Sequence, residues 1–401
     1  KKYVIIGNGI AAAGCVEGIR SADPGGQITI VSAEHHPVYC RPLISYYLEG
    51  KTDLGRIGYR PADFYAANGC TVHYGRAVRL DPVAKTVTLD DDTTLPYDAL
   101  CVAAGSSPFV PPMTGLEDVP TQFGFLTLDD ALALERAITP ESRVLIVGAG
   151  LIGLKCAEGL HGRVASITVC DLADRVLSSI LDPDGASVVQ RHLESHGLSF
   201  LLSDSVARFE PHTAHMKSGA SVPFDVLVLA VGVRANTALV RDAGGACGRG
   251  ITIDACAQTS LPGVYAAGDC TESADAVDGQ IKVMALLPNA YMQGHCAGVN
   301  MAGGVERFDQ AIPMNAIGFF GLHLMTAGSR TGDACLKKLY VADGRLVGFE
   351  LIGDVARAGI YTALIRNRTP LSDIDFELMQ QHPTLAAMSA AYRKRTLAAA
   401  T

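Results

Sequence analysis

The feature that most constrains this chain is a pattern it contains twice: a short β-branched strand, a glycine turn, a helix and a second strand. The first copy runs Tyr3-Val-Ile-Ile-Gly7-Asn-Gly9, a helical stretch to Arg20, a turn at Asp23-Pro-Gly-Gly26 and a strand from Gln27 to Val31. The second runs Arg143 to Val147, Gly148-Ala-Gly150, a helix to Leu160 and a strand from Ser166 to Val169. The apolar runs are short and continuous rather than alternating, as parallel strands buried on both faces are. The fold class expected is α/β, with two Rossmann-like three-layer dinucleotide-binding units. At 401 residues, 48% hydrophobic, the chain has enough apolar material for both units and a third, smaller domain.

The stretches between the copies set the domain expectations. Thr71 to Leu80 and Lys85 to Leu89, closing on Asp90-Asp-Asp92, read as an antiparallel excursion. Pro108 to Pro112 breaks regular structure, the helix Leu128 to Ile138 leads into the second unit, and a second crossing follows Gly232. Val264 to Asp269 then returns to a buried strand, and the helix Asn289 to Met301 closes that part. Residues 1–112 with 233–303 are therefore expected to form one discontinuous unit, 113–232 the second, and 304–401 a small α+β interface domain. The last contains strands at Lys337 to Val341 and Val347 to Ile352 and a helical tail from Pro383 to Ala399.

Several function classes drop out on composition. A net charge of −8, from 33 basic and 41 acidic side chains, gives no basic footprint for nucleic acid. No apolar run approaches the roughly 20 residues that span a bilayer, and Lys1 and Lys2 lead straight into a strand rather than a signal peptide. Eleven cysteines without a spacing pattern read as reduced thiols, which points to the cytoplasm. There is no cysteine run for an iron-sulfur cluster and no histidine motif for a metal, so any cluster lies on another protein. His35 and His36, beside Glu34, read as walls of a nucleotide pocket.

In the first copy Gly7-x-Gly9-x-x-Ala12 follows a strand and opens a helix. Gly7 permits the tight turn, Gly9 lets a pyrophosphate approach the backbone, and Ala12 lets helix and strand pack closely. Glu34 ends the following strand, where a carboxylate accepts hydrogen bonds from a ribose. Gly148-x-Gly150-x-x-Gly153 and Asp171 repeat the arrangement. An acid at Asp171 suits the free 2′-hydroxyl of NAD, and Leu172 and Ala173 supply no guanidinium for a 2′-phosphate, so NADH is expected over NADPH. Arg175, four positions on, leaves some NADPH use open.

With these motifs in order over residues 1 to 303, the chain resembles the two-dinucleotide-binding-domain flavin reductases of the glutathione reductase superfamily. Within them it is similar to the branch of NADH:rubredoxin reductases, ferredoxin reductases and the flavin portion of nitrite reductase. The links Leu100-Cys-Val-Ala-Ala-Gly105 and Val226-Leu-Val-Leu-Ala-Val-Gly232 match the crossings between domains in that family. The resemblance implies that Asp269, in Ala-Ala-Gly268-Asp269, hydrogen-bonds the ribityl chain of FAD, which makes the first site the FAD site. It implies that Arg41 and Pro42 cover the FAD adenine and pyrophosphate, and that the helix opening at Leu287 points at the flavin pyrimidine ring. It adds Val78, Ala104 and Gly105 to the FAD contacts, and Ile152 and Gly232 to those of NAD.

Disulfide reductases of the superfamily have a cysteine pair beside the flavin, and this chain has none there. Laid on single-cysteine relatives, the chain puts their nucleophile near Pro42 rather than at Cys40, which reads as a small residue beside the FAD entry loop. The expected function is therefore transfer of hydride from NADH to FAD and then of electrons to rubredoxin, ferredoxin or an iron-sulfur subunit. An NADH oxidase and a flavin-containing redox-sensing scaffold are the alternatives. Where most relatives have a Glu in the helix of the NAD motif, this chain has Lys155, and where they have a Lys after the Arg-Pro segment it has Tyr46. Lys155 is expected at the flavin N5 edge as the catalytic cation, paired with Glu158 or Glu49. Met314 to Met325 is apolar enough to be a buried strand pair or a surface for a second subunit, and the tail cations Arg393, Lys394 and Arg395 cap a helix or meet an acidic carrier.

Overall fold

The structure, a computed structural model, describes residues 1–328, 333–334, 337–384 and 387–389. The two copies of the motif form two five-stranded sheets with the same internal order. In the first, Lys2–Ile6 is central, flanked by Gln27–Ser32 and then Cys70–Tyr74 on one side, and by Ala99–Val102 and then Val264–Ala266 on the other. In the second, Arg143–Val147 is central, flanked by Ser166–Cys170 and Leu198–Leu201, and by Val226–Leu229 and Gln122–Phe123. All strand pairs in both sheets are parallel. Parallel order places every strand's C-terminal end on one edge of its sheet, which is where open α/β sheets bind ligands.

The repeat goes further than the glycine turns. Each unit also has a three-stranded antiparallel sheet, Ala77–Asp81 with Thr86–Leu89 and Thr94–Pro96 in the first, and Val206–Glu210 with Thr213–Met216 and Ser221–Pro223 in the second. Thr71 to Leu80 is expected as one antiparallel stretch, and the structure divides it. Cys70–Tyr74 is the parallel edge strand of the first sheet, and only the residues after Gly75 turn into the antiparallel sheet. Both segments look alike in composition, and pairing partners far along the chain decide between them.

Ser106–Pro108 pairs antiparallel with Val233–Ala235, so the outgoing and returning chain run side by side. Two short elements tie the halves together. Arg163 donates to the Leu48 carbonyl at 2.6 Å and pairs with Glu135 at 3.1 Å, while Tyr47 donates to Glu135 at 2.6 Å. Gly159 lies against Ser45 and Leu48, where a Cβ would come within 3.0 Å of both.

The C-terminal region is a five-stranded sheet in the order Met314–Phe319, Leu322–Gly328, Arg345–Ile352, Leu339–Ala342, Asp333–Ala334, all antiparallel. The apolar stretch Met314 to Met325 is thus a hairpin whose Phe319 and Leu324 are buried in the core of the second unit. Most of the segment read as a helical tail, with Arg393, Lys394 and Arg395, lies outside the described residues. Among the described residues no helix is long and apolar enough to cross a membrane.

Candidate functional site

The glycine turns have the geometry their chemistry requires. Gly7 has φ +111° and Gly148 φ +118°, and a Cβ there would lie 2.1 Å from the Ala103 carbonyl oxygen and 2.3 Å from that of Ala230. No side chain fits, because each turn presses against the neighbouring strand's exit. Gly9 and Gly150 are the opposite case. Each is the N-cap of its helix, and a Cβ would meet nothing within 4 Å. Neither helix has a side-chain cap or an acid in its first turn, so the free N–H groups and the positive helix end face open space. A dinucleotide pyrophosphate fits both places. Ala12 is buried, and Gly153 sits where a Cβ would be 2.0 Å from the Gly148 carbonyl oxygen, so each third position sets how closely helix and turn pack. Ile152, beside it, is half-buried.

The acids after the second strands are held in place. Glu34 accepts from Tyr39 Oη at 2.7 Å and from the Arg41 guanidinium, which also donates to the Leu126 carbonyl at 3.2 Å. Glu34 and Arg41, both expected at the nucleotide, are thus joined to each other. Asp171 accepts from Ala149 N at 2.6 Å and Ala173 N at 2.8 Å, so one carboxylate braces the glycine turn from across the strand end. Arg175 is turned onto Asp174 at 2.7 Å. His35 stacks on Tyr74 with centroids 4.7 Å apart, and His36 pairs with Asp129 at 2.8 Å. Among the described residues no group of side chains could hold a metal ion.

The return of the chain completes the first site. Gly268 has φ +82°, a Cβ there would lie 3.0 Å from the Ala11 methyl and 3.5 Å from that of Ala290, and its N–H donates to Gln293 Oε1 at 3.0 Å. Burial pushes the Asp269 carboxyl up, and Arg41 opposes that shift. Ala104 and Gly105 are fixed by Asn236, whose Nδ2 donates to the Ala104 carbonyl at 2.8 Å and whose N–H donates to the Gly105 carbonyl at 3.0 Å. Gly232, φ +118°, accepts from Phe109 N at 2.9 Å at the crossing. Pro42 lies in a short 3-10 turn, and Val78 is exposed on the antiparallel sheet.

The helix Leu287–Ala302 starts with an uncapped N-terminus, Pro288 in its first turn and no acid there. It packs on the first helix, Ile10–Ala22, through four glycines that composition alone did not single out. A Cβ on Gly14 would lie 2.4 Å from Tyr291 O, on Gly18 2.2 Å from His295 O, on Gly294 2.0 Å from Ala11 O, and on Gly298 2.1 Å from Cys15 O. The spacing Gly-x-x-x-Gly in both helices is the sequence signal for this backbone-to-backbone crossing. Glu17, paired bidentately with Arg60 at 2.5 and 3.0 Å and accepting from Tyr291 Oη at 2.6 Å, locks it.

Lys155 projects from the NAD-motif helix, Leu151–Leu160, into a largely buried position. Its ammonium pairs with Glu158, donates to the Gly318 carbonyl at 3.1 Å, and sits 4.7 Å from the centre of the Tyr46 ring and 5.4 Å from that of Phe319. Of the two expected acids it takes Glu158, while Glu49 pairs with Lys51 at 2.5 Å. Cys40 is half-buried, and burial pushes its thiol up, away from the thiolate a sulfur relay needs.

These two nucleotide cradles, facing a sheet edge each and joined by a return strand and a closing helix, define a flavin- and nicotinamide-dependent oxidoreductase. Residues 1–294 match the pyridine nucleotide-disulphide oxidoreductase family, and the chain belongs to it. The chain is 32% identical over 395 residues to the NADH-dependent phenylglyoxylate dehydrogenase subunit epsilon of Aromatoleum evansii, covering 93% of each. It is 32% identical over 374 residues to the assimilatory nitrate reductase electron transfer subunit of Bacillus subtilis, covering 88% of this chain and 48% of that one. This chain therefore spans about half the length of that relative. Among solved structures, the covalent putidaredoxin reductase-putidaredoxin complex gives a TM-score of 0.88 at 23% identity, over 96% of this chain and 98% of that one, a likeness of fold.

Proposed function

We propose that this chain is a FAD-dependent NADH oxidoreductase that passes electrons to an external carrier, a rubredoxin, a ferredoxin or an iron-sulfur subunit, without a redox-active disulfide. The observation behind this is the sulfur chemistry at the first site. Cys40 directly precedes the Arg41-Pro42 turn, and burial disfavours its thiol as a thiolate. When bound, FAD supplies acceptance of two electrons and their release one at a time.

Residues 1–112 and 233–303 are assigned to FAD. The Gly7-Gly9 turn takes the pyrophosphate, Glu34 a ribose, Arg41 a phosphate, and Asp269 a ribityl hydroxyl. Ala104, Gly105 and Val78 line the rest. The N-terminus at Leu287 directs its partial positive charge to the pyrimidine edge, and Lys155 adds a cation at the reacting edge, so both favour negative charge there. Residues 113–232 are assigned to NADH, with Gly148, Gly150 and Gly153 at the pyrophosphate, Ile152 and Gly232 at the nicotinamide side, and Asp171 at the adenosine ribose. The relative from Aromatoleum evansii is by its name part of an NADH-dependent enzyme and that from Bacillus subtilis an electron-transfer subunit, which accords with this reading.

The test is NADH oxidation by the FAD-loaded protein with and without a ferredoxin or rubredoxin, with oxygen uptake followed in parallel. Carrier reduction much faster than oxygen uptake is expected. Oxygen uptake undiminished by the carrier would make the protein an oxidase, and negligible turnover with either would make it a scaffold.

A further inference from the structure

The hairpin Met314–Phe319 and Leu322–Gly328 belongs to the C-terminal sheet, yet its tip reaches into the NAD-motif helix. Phe320 N–H donates to Glu158 at 2.7 Å, and the Gly318 carbonyl accepts from Lys155 at 3.1 Å. Glu158 is only 3% exposed, and these contacts satisfy both oxygens of its carboxylate, one from Lys155 and one from Phe320. A buried carboxylate with two charge-assisted donors has little freedom, and neither does the ammonium it holds.

The tip is itself over-determined. Phe320 has φ +48°, a conformation that costs a bulky residue energy and persists only where the surroundings enforce it. Three histidines do so. His196 stacks on the Phe320 ring with centroids 4.4 Å apart and planes within 7°, His161 meets its edge at 4.9 Å, and His192 Nε2 donates to the Phe319 carbonyl at 3.0 Å. All three stand on, or at the end of, the two helices of the second unit that flank the tip.

We propose that the Phe319-Phe320-Gly321 turn and Glu158 are positioning elements for Lys155, so that the C-terminal sheet fixes the cation at the flavin edge rather than serving only as an interface. The proposal rests on the reading of Lys155 at the flavin. Phe320 keeps Glu158 aimed at the ammonium, the Gly318 carbonyl and the Tyr46 and Phe319 rings pack around it, and the histidines keep the turn from relaxing.

The test uses the FAD-loaded protein and the variants Lys155→Met, Glu158→Gln and Phe320→Ala. It reads the flavin midpoint potential, the rate of flavin reduction by NADH, and the labelling of Lys155 by an amine reagent. Lys155→Met, which leaves a carboxylate unpaired, is expected to lower the potential, and Glu158→Gln, which leaves the cation, to raise it. Phe320→Ala, which keeps both charges, is expected to slow flavin reduction about tenfold with the NADH dissociation constant within about twofold, and to speed labelling of Lys155. A potential that none of the variants moves would remove Lys155 from the flavin and with it the reading beneath the proposal. A potential that Lys155→Met lowers, with Phe320→Ala indistinguishable from wild type in rate and labelling, would leave that reading standing and overturn the positioning role. Thermal unfolding of Phe320→Ala near that of wild type is part of the expected result. If that variant does not fold, Phe320→Leu, which keeps an apolar side chain at the tip, replaces it under the same criteria.

Discussion

The crossing of Ile10–Ala22 with Leu287–Ala302 can be tested at one atom. Gly294→Ala places a Cβ 2.0 Å from the Ala11 carbonyl oxygen, 2.8 Å from its carbon and 3.0 Å from its Cα. All three are backbone atoms, so no side chain can swing away, and ordinary contact requires the helices to part by more than an ångström. Overpacking of this kind costs about 1–3 kcal/mol or somewhat more, against a gain of up to about 1 kcal/mol from alanine's better helix propensity. A net loss of about 2 kcal/mol lowers the melting temperature by roughly 4–8 °C for a unit of this size. Parting the helices also shifts the N-terminus at Leu287, so weaker FAD retention should accompany it. The control is Gly359→Ala, in the helix Ala358–Arg366, where a Cβ meets nothing within 4 Å, and a gain of about 0.5–1 kcal/mol is expected. Thermal unfolding by circular dichroism and FAD fluorescence on release are the assays. Gly294→Ala melting with wild type and holding FAD equally well would refute the backbone-contact argument.

Three further outcomes follow from other residues. Asp171→Asn removes a charge that both braces Ala149 and would meet the ribose, so the KM for NADH should rise about tenfold while preference over NADPH narrows, and steady-state kinetics with both nucleotides measures it. Cys40→Ser should leave NADH-driven carrier reduction within about twofold of wild type, since a thiol held protonated by burial contributes no relay. Glu350 is buried beside Asp182; burial and then Asp182 push its pKa up, with Lys338 opposing. A raised acid binds its proton more tightly folded than unfolded, so stability is lost as pH rises from the ordinary glutamate range through the folded value. Glu350→Gln should therefore be the more stable protein at mildly alkaline pH and lose that advantage near pH 4, as denaturant midpoints at several pH values would show.

The parts legible in the sequence are those where a single local constraint rules. Gly7 and Gly148 need positive φ, and their strand-turn-helix setting announced them. The duplicated sheet order followed from the repeat, because the same local pattern packs the same way twice. What escaped depends on partners distant in sequence. Cys70–Tyr74 and Ala77–Asp81 are both short strands of mixed composition, and only pairing with Gln27–Ser32 makes the first one parallel. Asn236, which fixes Ala104 and Gly105 from 132 residues away, lies in no motif. Lys155 stood out because a Lys replaced a Glu, with Glu158 and Glu49 both open as its partner; the contribution of Phe320 from the C-terminal hairpin has no local signature.

The central claim is a flavin reduced by NADH with no sulfur between donor and acceptor, and anaerobic titration of the FAD-loaded protein with NADH tests it most directly. The account expects the flavin to bleach fully on one equivalent of NADH per FAD, with no long-wavelength thiolate-flavin band at any stage. Uptake of a second equivalent, or such a band abolished by Cys40→Ser, would contradict it.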